Sequence, residues 1–243
     1  MIGRGDIAAP GLVRCYSFEE VFAEKLRAMG ERGRPRDLYD IVNLYWRHDL
    51  RAHGPLVRAT LVQKCETKGV PMPTFASLAS AATRADLETE WTNMLGHQLP
   101  ALPSFASFWA ELPGLFGWLE GAEPDELRPM DVGPDEDTDW RPPNTNSTWG
   151  TGYAFETVRF AAANHLCIEL GYQGSLRVVE PYSLRRTRAG ALLLHAIRAD
   201  TREHRSYRLD RIATVRVTTL PFTPVYRVEF SSTGPIVASS ARE

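Results

Sequence analysis

The chain has 243 residues and a formal net charge of -2, with 43% hydrophobic and 24% charged residues. This composition is that of an ordinary globular protein with one or two domains, and it argues against a surface that coats nucleic acid or membrane along the whole chain. The sequence has no secretory signal pattern and no stretch near the roughly 18 apolar residues that cross a bilayer, so we expect a cytoplasmic protein without a membrane partner.

The cysteines and histidines form no metal-binding pattern. Cys15, Cys65 and Cys167 are far apart and none belongs to a C-x-x-C pair, so we expect reduced, packed thiols. The six histidines are scattered along the chain. We therefore predict no metal site and no cofactor within this chain.

The first half of the chain has helical periodicity, after one short predicted strand at 12–16. Ser17 and Glu20 form an S-x-x-E capping box at the start of the first helix, and Gly33 suits its end. Pro35 suits the first turn of a second helix, so the two helices would form a hairpin. Further helices are predicted near residues 55–68, 74–81, 83–96 and 104–119.

A change of composition marks the segment 121–150. Residues 120–139 hold nine acids against one arginine, and a proline-rich polar run follows. Such a segment buries too little apolar area to offset the entropy of ordering, which predicts a solvated linker. Asp135, Asp137 and Asp139 form a D-x-D-x-D pattern, but they lack the glycine and distal glutamate of a calcium loop, which favours the linker interpretation over a metal site.

After this segment, short extended runs alternate with turns. The stretch AFETVRFAAANHL predicts an amphipathic helix, and the runs that follow it predict a small antiparallel sheet or barrel. The predicted strands are CIELGY, SLRVVEP, YSLRRT, ALLLHAIR, HRSYRLDRI, ATVRVTT and VYRVEF. The expected fold class is α+β, with a helical domain over 1–120, a β domain with a leading helix over 151–232, and a tail over 233–243.

Four charged residues of the hairpin could carry chemistry. Asp37 and Asp40 are three residues apart and share one face of the second helix, where the hairpin could bring Lys25 near both. Arg36 and Asp37 lie in the first turn, where backbone amides favour anions. On the residues alone, a salt-bridge network that locks two helices and a functional site both stay open.

The run YSFEEVFAEKLRAMGERGRPRDLYDIVNLYW resembles the C-terminal motif of the AbiEii/AbiGii-type nucleotidyltransferase toxins, in which A-E-K-L and R-D-L-Y-D occur in this order. The resemblance implies the helical lobe of a nucleotidyltransferase-like fold. It also implies a phosphate role for Lys25 and a supporting role at the catalytic site for Asp37. Asp40 and Arg36 would orient the hairpin, and Arg36 is a candidate ligand contact.

The same family carries a G-[GS] turn and a D-x-D pair upstream of this motif, and the pair holds magnesium against the triphosphate. Only about 15 residues precede Tyr16, and no D-x-D follows the Gly174-Ser175 pair. We therefore expect a truncated transferase that is inactive alone. Magnesium and a nucleoside triphosphate would enter only if a catalytic half is supplied elsewhere.

Arginine is concentrated in the predicted β domain. Residues 177–216 contain ten arginines and four acids, interleaved with tyrosines and histidines, a composition suited to phosphates and stacked bases. Strand alternation places Ser183 and Arg185 on one face and Tyr182 and Arg186 on the other, so some arginines share a face with core residues. An exposed charged face that keeps the domain soluble and a ligand-binding surface both stay open.

The segments VRFAAANHLCIELGYQG, RVVEPYSLRRTRAGALLLHAIR and HRSYRLDRI resemble a WYL domain. The resemblance implies an Sm-like fold and a ligand sensor that binds nucleotides or nucleic acid through a basic cleft. The W-Y-L triplet itself is replaced by Leu193, Leu194 and His195 or a neighbouring frame. The candidate ligand contacts by position are Tyr182, Ser183, Arg185, His195, Arg198, Arg205 and Arg208.

Together these features predict a protein similar to nucleotidyltransferase toxins, with a domain that senses nucleotide or short nucleic acid in bacterial phage defence or toxin-antitoxin function. The expected partners besides the ligand are a cognate antitoxin or an upstream transferase half. The alternatives are nucleotidyl transfer to RNA or protein by a completed enzyme, and a non-catalytic scaffold for protein association.

Overall fold

The structure combines a helical N-terminal region with a C-terminal antiparallel sheet. The computed structural model describes residues 16–140, 152–231 and 234–235. Two hydrophobic cores form, one among the N-terminal helices and one between the sheet and its leading helix. The α+β class predicted from the sequence is confirmed. The strand predicted at 12–16 lies outside the described residues, apart from Tyr16, which belongs to no strand.

The predicted hairpin consists of α1 (Phe18–Arg32) and α2 (Pro35–Tyr45). The capping box is present, because Ser17 Oγ accepts from the Glu20 amide and the Glu20 carboxylate accepts from the Ser17 amide. Gly33 ends α1 in the left-handed conformation with φ of 52°, which glycine adopts without steric cost. The connection is short, and the two helices pack against each other.

Further helices complete the N-terminal region. They are α3 (Gly54–Lys68), α4 (Phe75–Leu78), α5 (Ala81–Leu95), α6 (Phe105–Trp109) and α7 (Leu112–Leu119). The helix predicted over 104–119 is divided in two because Pro113 has no amide hydrogen and suits only the first turn of a helix. Within the described parts of the chain, no helix has the length and apolar character needed to span a membrane.

The C-terminal region begins with one helix and continues as a five-stranded sheet. The elements are α8 (Gly152–Ala163), β1 (Leu166–Tyr172), β2 (Ser175–Arg186), β3 (Leu192–Arg198), β4 (His204–Arg208) and β5 (Ile212–Pro221). The strand order is β4-β3-β2-β1-β5 and all pairs are antiparallel. A two-stranded ladder of β6 (Phe230–Ser231) and β7 (Gly234–Pro235) follows. Apart from β7, the tail predicted over 233–243 lies outside the described residues.

The sheet is strongly curled. In a flat sheet of this order, β1 and β4 would lie three strand spacings apart, about 14 Å. Yet the rings of Tyr172 on β1 and Tyr207 on β4 pack edge to face with centroids 5.1 Å apart. The amide of Arg208 also donates to the Tyr172 hydroxyl at 3.4 Å. The curl brings the end of β1 beside β4, as expected for a barrel-like sheet.

Four of the predicted strands need correction. SLRVVEP and YSLRRT form the single strand β2, whose register against β3 shifts between Pro181 and Ser183, so an irregularity replaces the predicted break. HRSYRLDRI forms β4 and then a 3-10 turn before β5. VYRVEF contributes only Phe230 to a strand, and the Glu229 amide instead donates to the Tyr182 carbonyl at 2.7 Å.

Residues 130–140, here called the acidic strap, lie against the sheet. The side chains of Met130 and Glu136 are 2% and 6% exposed, and Glu136 forms an antiparallel bridge with Thr187. The solvated linker predicted over 121–150 does not hold at Met130 and Glu136, whose side chains are buried against the β domain, while most other side chains of the strap are exposed. The part of the predicted linker that follows the strap lies outside the described residues.

The helical region contacts the β domain through an aromatic stack. Trp46, just after α2, stacks on His165 with ring centroids 3.8 Å apart. His165 joins α8 to β1 in the left-handed conformation, with φ of 51°, and its ring centroid lies 5.6 Å from that of Phe222. Burial between these rings lowers the pKa of His165 to about 3. The interface therefore favours the neutral imidazole.

We predict that acid weakens this interface. The folded state holds His165 neutral, with a pKa below its ordinary value, while the unfolded chain binds a proton as pH falls through about 6.5. Stability should therefore fall from about pH 6.5 towards the folded pKa, and His165 should account for about 3 kcal/mol of that loss by pH 4.5. Urea unfolding of wild type and His165→Asn measures this contribution, since asparagine tolerates the left-handed conformation. An identical pH dependence in both proteins would contradict the assignment.

Candidate ligand-binding site

The candidate site residues of the hairpin have separate partners and do not form one cluster. Lys25 Nζ lies 2.6 Å from Asp40 Oδ2, and both side chains are 31% exposed. Arg36 donates to the side-chain oxygen of Gln98, which follows α5. The expected approach of the lysine to both carboxylates is thus seen for Asp40, while Asp37 is engaged by a different cation.

Asp37 is the buried carboxylate of the hairpin. Its residue is 0% exposed, and Arg32 binds it with two parallel hydrogen bonds, Nε to Oδ2 at 2.8 Å and Nη2 to Oδ1 at 2.9 Å. This bidentate geometry is the strong form of an arginine-carboxylate contact. Since Arg32 is the last residue of α1 and Asp37 lies in the first turn of α2, the pair links the two helices.

Among the described residues, the carboxylates of the hairpin and Asp137 of the acidic strap already have other partners. Lysine and arginine already occupy the two carboxylates of the hairpin. In the acidic strap, Asp137 lies 2.5 Å from Arg186 and accepts hydrogen bonds from the amides of Asp139 and Trp140. Among the residues that the structure describes, no group of three or more histidines, cysteines or acids could hold a metal ion.

We predict unequal costs for neutralising the two hairpin carboxylates. Asp37→Asn replaces the buried carboxylate that accepts two hydrogen bonds from the half-exposed Arg32, and it should lower the free energy of unfolding by about 1–3 kcal/mol. The matched variant Asp40→Asn removes a partly exposed pair and should cost less than about 1 kcal/mol. Urea unfolding at neutral pH measures both values. Equal costs would show that the buried pair does not fix the hairpin.

In the C-terminal domain, three predicted ligand contacts cluster beside the acidic strap. Ser183 and His195 oppose each other on β2 and β3 and are 0% and 2% exposed. Arg185 lies 2.7 Å from Glu229 and reaches Ser183 Oγ at 3.4 Å. The strap residue Glu136 places Oε1 2.8 Å from His195 Nε2. The strap therefore covers the site that these residues were predicted to form.

Burial controls ionisation at this site. It lowers the pKa of His195 to about 4, aided by the charge of His204, and raises the pKa of Glu136 above its ordinary value. His195 Nδ1 lies 2.9 Å from His204 Nε2, a distance that suits one neutral ring donating to another. At neutral pH the histidine pair is thus uncharged, and the arginines supply the positive charge.

Tyr182 is a core residue rather than a surface contact. Its side chain is 0% exposed, and its hydroxyl donates to Glu180 Oε2 at 3.1 Å and accepts from the Val225 amide at 3.2 Å. Burial raises the pKa of this hydroxyl well above its ordinary value. A ligand therefore has no direct access to it in this structure, although Tyr182 positions the segment that carries Glu229.

The remaining predicted contacts lie on more exposed arginines. Each pairs with a carboxylate two residues away, and the pairs are Arg198–Asp200 at 2.5 Å, Arg205–Glu203 at 2.8 Å and Arg208–Asp210 at 2.6 Å. These pairs raise the pKa of Arg198 and Arg208. Solvent-exposed pairs of this kind contribute little to stability, so a phosphate can exchange with the carboxylate at small cost.

These arginines adjoin the packed tyrosines of β1 and β4. The guanidinium carbon of Arg177 lies 5.9 Å from the centre of the Tyr172 ring. The charges of Arg177, Arg198 and Arg205 all act on the Tyr207 hydroxyl, which is buried and has no hydrogen-bond partner among the described residues. We call this group the arginine-tyrosine surface, and it comprises Tyr172, Arg177, Arg198, Arg205, Tyr207 and Arg208.

Sequence reasoning missed Tyr172 and Arg177 as members of this surface. The sequence did contain a signal for their proximity, because Gln173-Gly174 suits a two-residue hairpin turn. In the structure both residues have positive φ, 51° and 75°, as such a turn requires. Such a turn predicts a hairpin that folds the start of β2 back over the end of β1. The packing of Tyr172 on Tyr207 had no local signal, since it depends on the curl of the whole sheet.

Comparison with known proteins gives two family matches. Residues 5–112 match the family model described as nucleotidyl transferase AbiEii toxin, Type IV TA system, and residues 153–217 match the WYL domain. Both resemblances seen in the sequence are thereby confirmed. The chain is also similar to the solved structure of proteasome accessory factor B/C (PafBC) of Arthrobacter aurescens, with 20% identity and a TM-score of 0.29. That similarity covers 60% of this chain and 21% of that chain. No match was found among curated proteins.

Proposed function

We propose that the C-terminal domain binds a nucleotide or short nucleic acid and acts as the sensing part of a toxin-like protein. The arginine-tyrosine surface is the observation that carries this proposal. Several guanidinium groups converge around two tyrosines in edge-to-face contact, and the arginines are paired only with exposed or partly exposed acids. The match to the WYL domain supports the same region as the ligand-binding part.

The chemistry of the surface suits phosphates better than other anions. Guanidinium groups bind phosphate oxygens in a planar two-donor arrangement, and the partly exposed ring of Tyr172, supported by the buried Tyr207, offers a face on which a base can stack. The arginines lie on the strands β2, β3 and β4, so the curled sheet fixes their spacing. A mononucleotide or a short single strand would fill such a surface, whereas a small carboxylate would use only one of its arginines.

The helical region has a separate proposed role. Its match to the AbiEii model supports a nucleotidyltransferase-like lobe, and the hairpin supplies Lys25 as a candidate for phosphate contact once its pair with Asp40 opens. Nucleotidyl transfer to RNA or protein would need a pair of carboxylates free to bind magnesium, whereas Asp37 and Asp40 of the hairpin are paired with Arg32 and Lys25. We therefore propose transfer only for an assembly completed by another segment, and a toxin-antitoxin or phage-defence context with a cognate antitoxin as partner.

A test of transfer follows from this division of roles. The purified chain, incubated with magnesium and each labelled nucleoside triphosphate, should not label RNA or protein. Label should appear only when a second polypeptide that carries a G-[GS] turn and a D-x-D pair is added. Transfer by the chain alone would overturn this part of the proposal.

We predict that two arginines of the surface set the affinity for single strands. Arg198→Ala with Arg205→Ala should weaken binding of a labelled oligonucleotide of about 12 nucleotides by tenfold or more at low salt. The slope of log affinity against log salt should become shallower by about 1.4, since each lost phosphate contact is worth about 0.7. Fluorescence anisotropy measures both quantities.

The matched control is Arg34→Ala with Arg58→Ala, which removes the same charge from exposed positions of the helical region. Its affinity and salt slope should stay close to those of wild type. A larger loss in the control than in the surface variant would place the ligand on the helical region and overturn the proposed site.

A further inference from the structure

The acidic strap places carboxylates where the C-terminal domain would hold a phosphate. Asp137 lies 2.5 Å from Arg186, and Glu136 lies beside His195 within the electrostatic influence of Arg185. Ser183 faces His195 across β2 and β3, and Arg185 shares the face of Ser183, so Glu136 lies at a cluster of serine, arginine and histidine side chains. Arg186, which pairs with Asp137, belongs to the opposite face of β2.

We propose that the acidic strap is an intramolecular competitor: Glu136 occupies an anion site formed by Ser183, Arg185 and His195, and the strap is displaced when a phosphate-bearing ligand binds there. The inference rests on the proposed function, because it assumes that the domain binds such a ligand. It adds a second contact region, distinct from the arginine-tyrosine surface, and a step that controls access to it.

The backbone attachment of the strap is short. The Asp137 amide donates to the Arg186 carbonyl at 2.8 Å, and the Arg188 amide donates to the Asp135 carbonyl at 2.9 Å. These two bonds flank an isolated bridge between Glu136 and Thr187. A ladder of this length can open without disturbing the strands of the sheet, because β2 keeps its bonds to β1 and β3.

Within the described part of the chain, the contacts of the strap leave several buried polar atoms without hydrogen bonds. Glu136 Oε2, His195 Nε2 and Arg186 Nε are buried and have no hydrogen-bond partner among the described residues. His195 Nε2 is close to Glu136 Oε1, but the contact lacks the angles of a hydrogen bond. Because buried polar atoms without hydrogen bonds are costly, a ligand that supplies those bonds could replace the strap at this site. A phosphate has more acceptor oxygens than one carboxylate, so it can accept from Arg185 and from His195 together.

Removal of the strap charges tests the competition. Glu136→Gln with Asp137→Asn keeps the shape of the strap and removes its attraction to the pocket. We expect this variant to bind the labelled oligonucleotide of about 12 nucleotides about tenfold more tightly than wild type. The matched control, Glu120→Gln with Glu123→Gln, removes two exposed acids that lie outside the strap and should change affinity less than about twofold.

A reversible cross-link tests the same idea without relying on charge. The hydrogen bonds around Glu136 and Thr187 define a non-hydrogen-bonded antiparallel pair, whose Cα atoms lie about 4.5 Å apart, within the range for a disulfide. In Glu136→Cys with Thr187→Cys, oxidation by diamide should close the strap and weaken binding about tenfold. Reduction with dithiothreitol should restore it.

The outcomes separate this inference from the proposed function. If wild type binds the oligonucleotide but neither the charge variant nor the oxidised cross-link changes affinity, the competitor role is wrong and the proposed function stands. If wild type, the charge variant and the reduced cross-link variant all fail to bind, the proposed function is wrong as well. Tighter binding by the charge control than by the strap variant would also overturn the competitor role.

Discussion

Buried carboxylates constrain this structure more than any other feature. Among the described residues, Asp37, Glu136 and Glu180 are at most 6% exposed, and a buried acid needs a partner or a proton. Arg32 binds Asp37 between α1 and α2, and Arg202 binds Glu180 beside the buried Tyr182. These two pairs fix the hairpin and the core of the β domain.

Glu136 differs from the other two buried acids because its nearest partner is a histidine and not an arginine. Its nearest partner, His195, is neutral because burial lowers the pKa of the imidazole, so the contact is not an ion pair. Asp37 and Glu180 each pair with an arginine, whereas Glu136 pairs with none among the described residues. That difference favours a strap that is held in place for regulation over one that is needed for folding.

Arginine has two roles in this chain, and the burial of its partner acid distinguishes them. Where a guanidinium group meets a buried acid, as Arg32 meets Asp37, the pair is structural and its loss is costly. Where it meets an acid two residues away on the surface, as Arg205 meets Glu203, water competes with the pair and a phosphate can replace the acid. The arginine-rich composition alone could not distinguish these roles.

Local signals in the sequence predicted the local structure well. The capping box of Ser17 and Glu20 and the position of Pro35 set the hairpin correctly, because capping and proline geometry act within one turn of helix. The break expected after Pro181 did not occur, since pairing with β3 carries β2 through the irregularity. Long-range features were the ones missed. No pattern in the sequence around Glu136 indicates that it packs beside His195.

Hydrogen exchange on the whole chain shows whether the anionic ligand binds the C-terminal domain. Amide exchange should be measured by mass spectrometry with and without an oligonucleotide of about 12 nucleotides at low salt. Binding at this domain should slow exchange over 172–186 and 193–208 and, through release of the acidic strap, speed exchange over 130–140. Protection confined to the hairpin over 18–45, with the C-terminal domain unchanged, would contradict it.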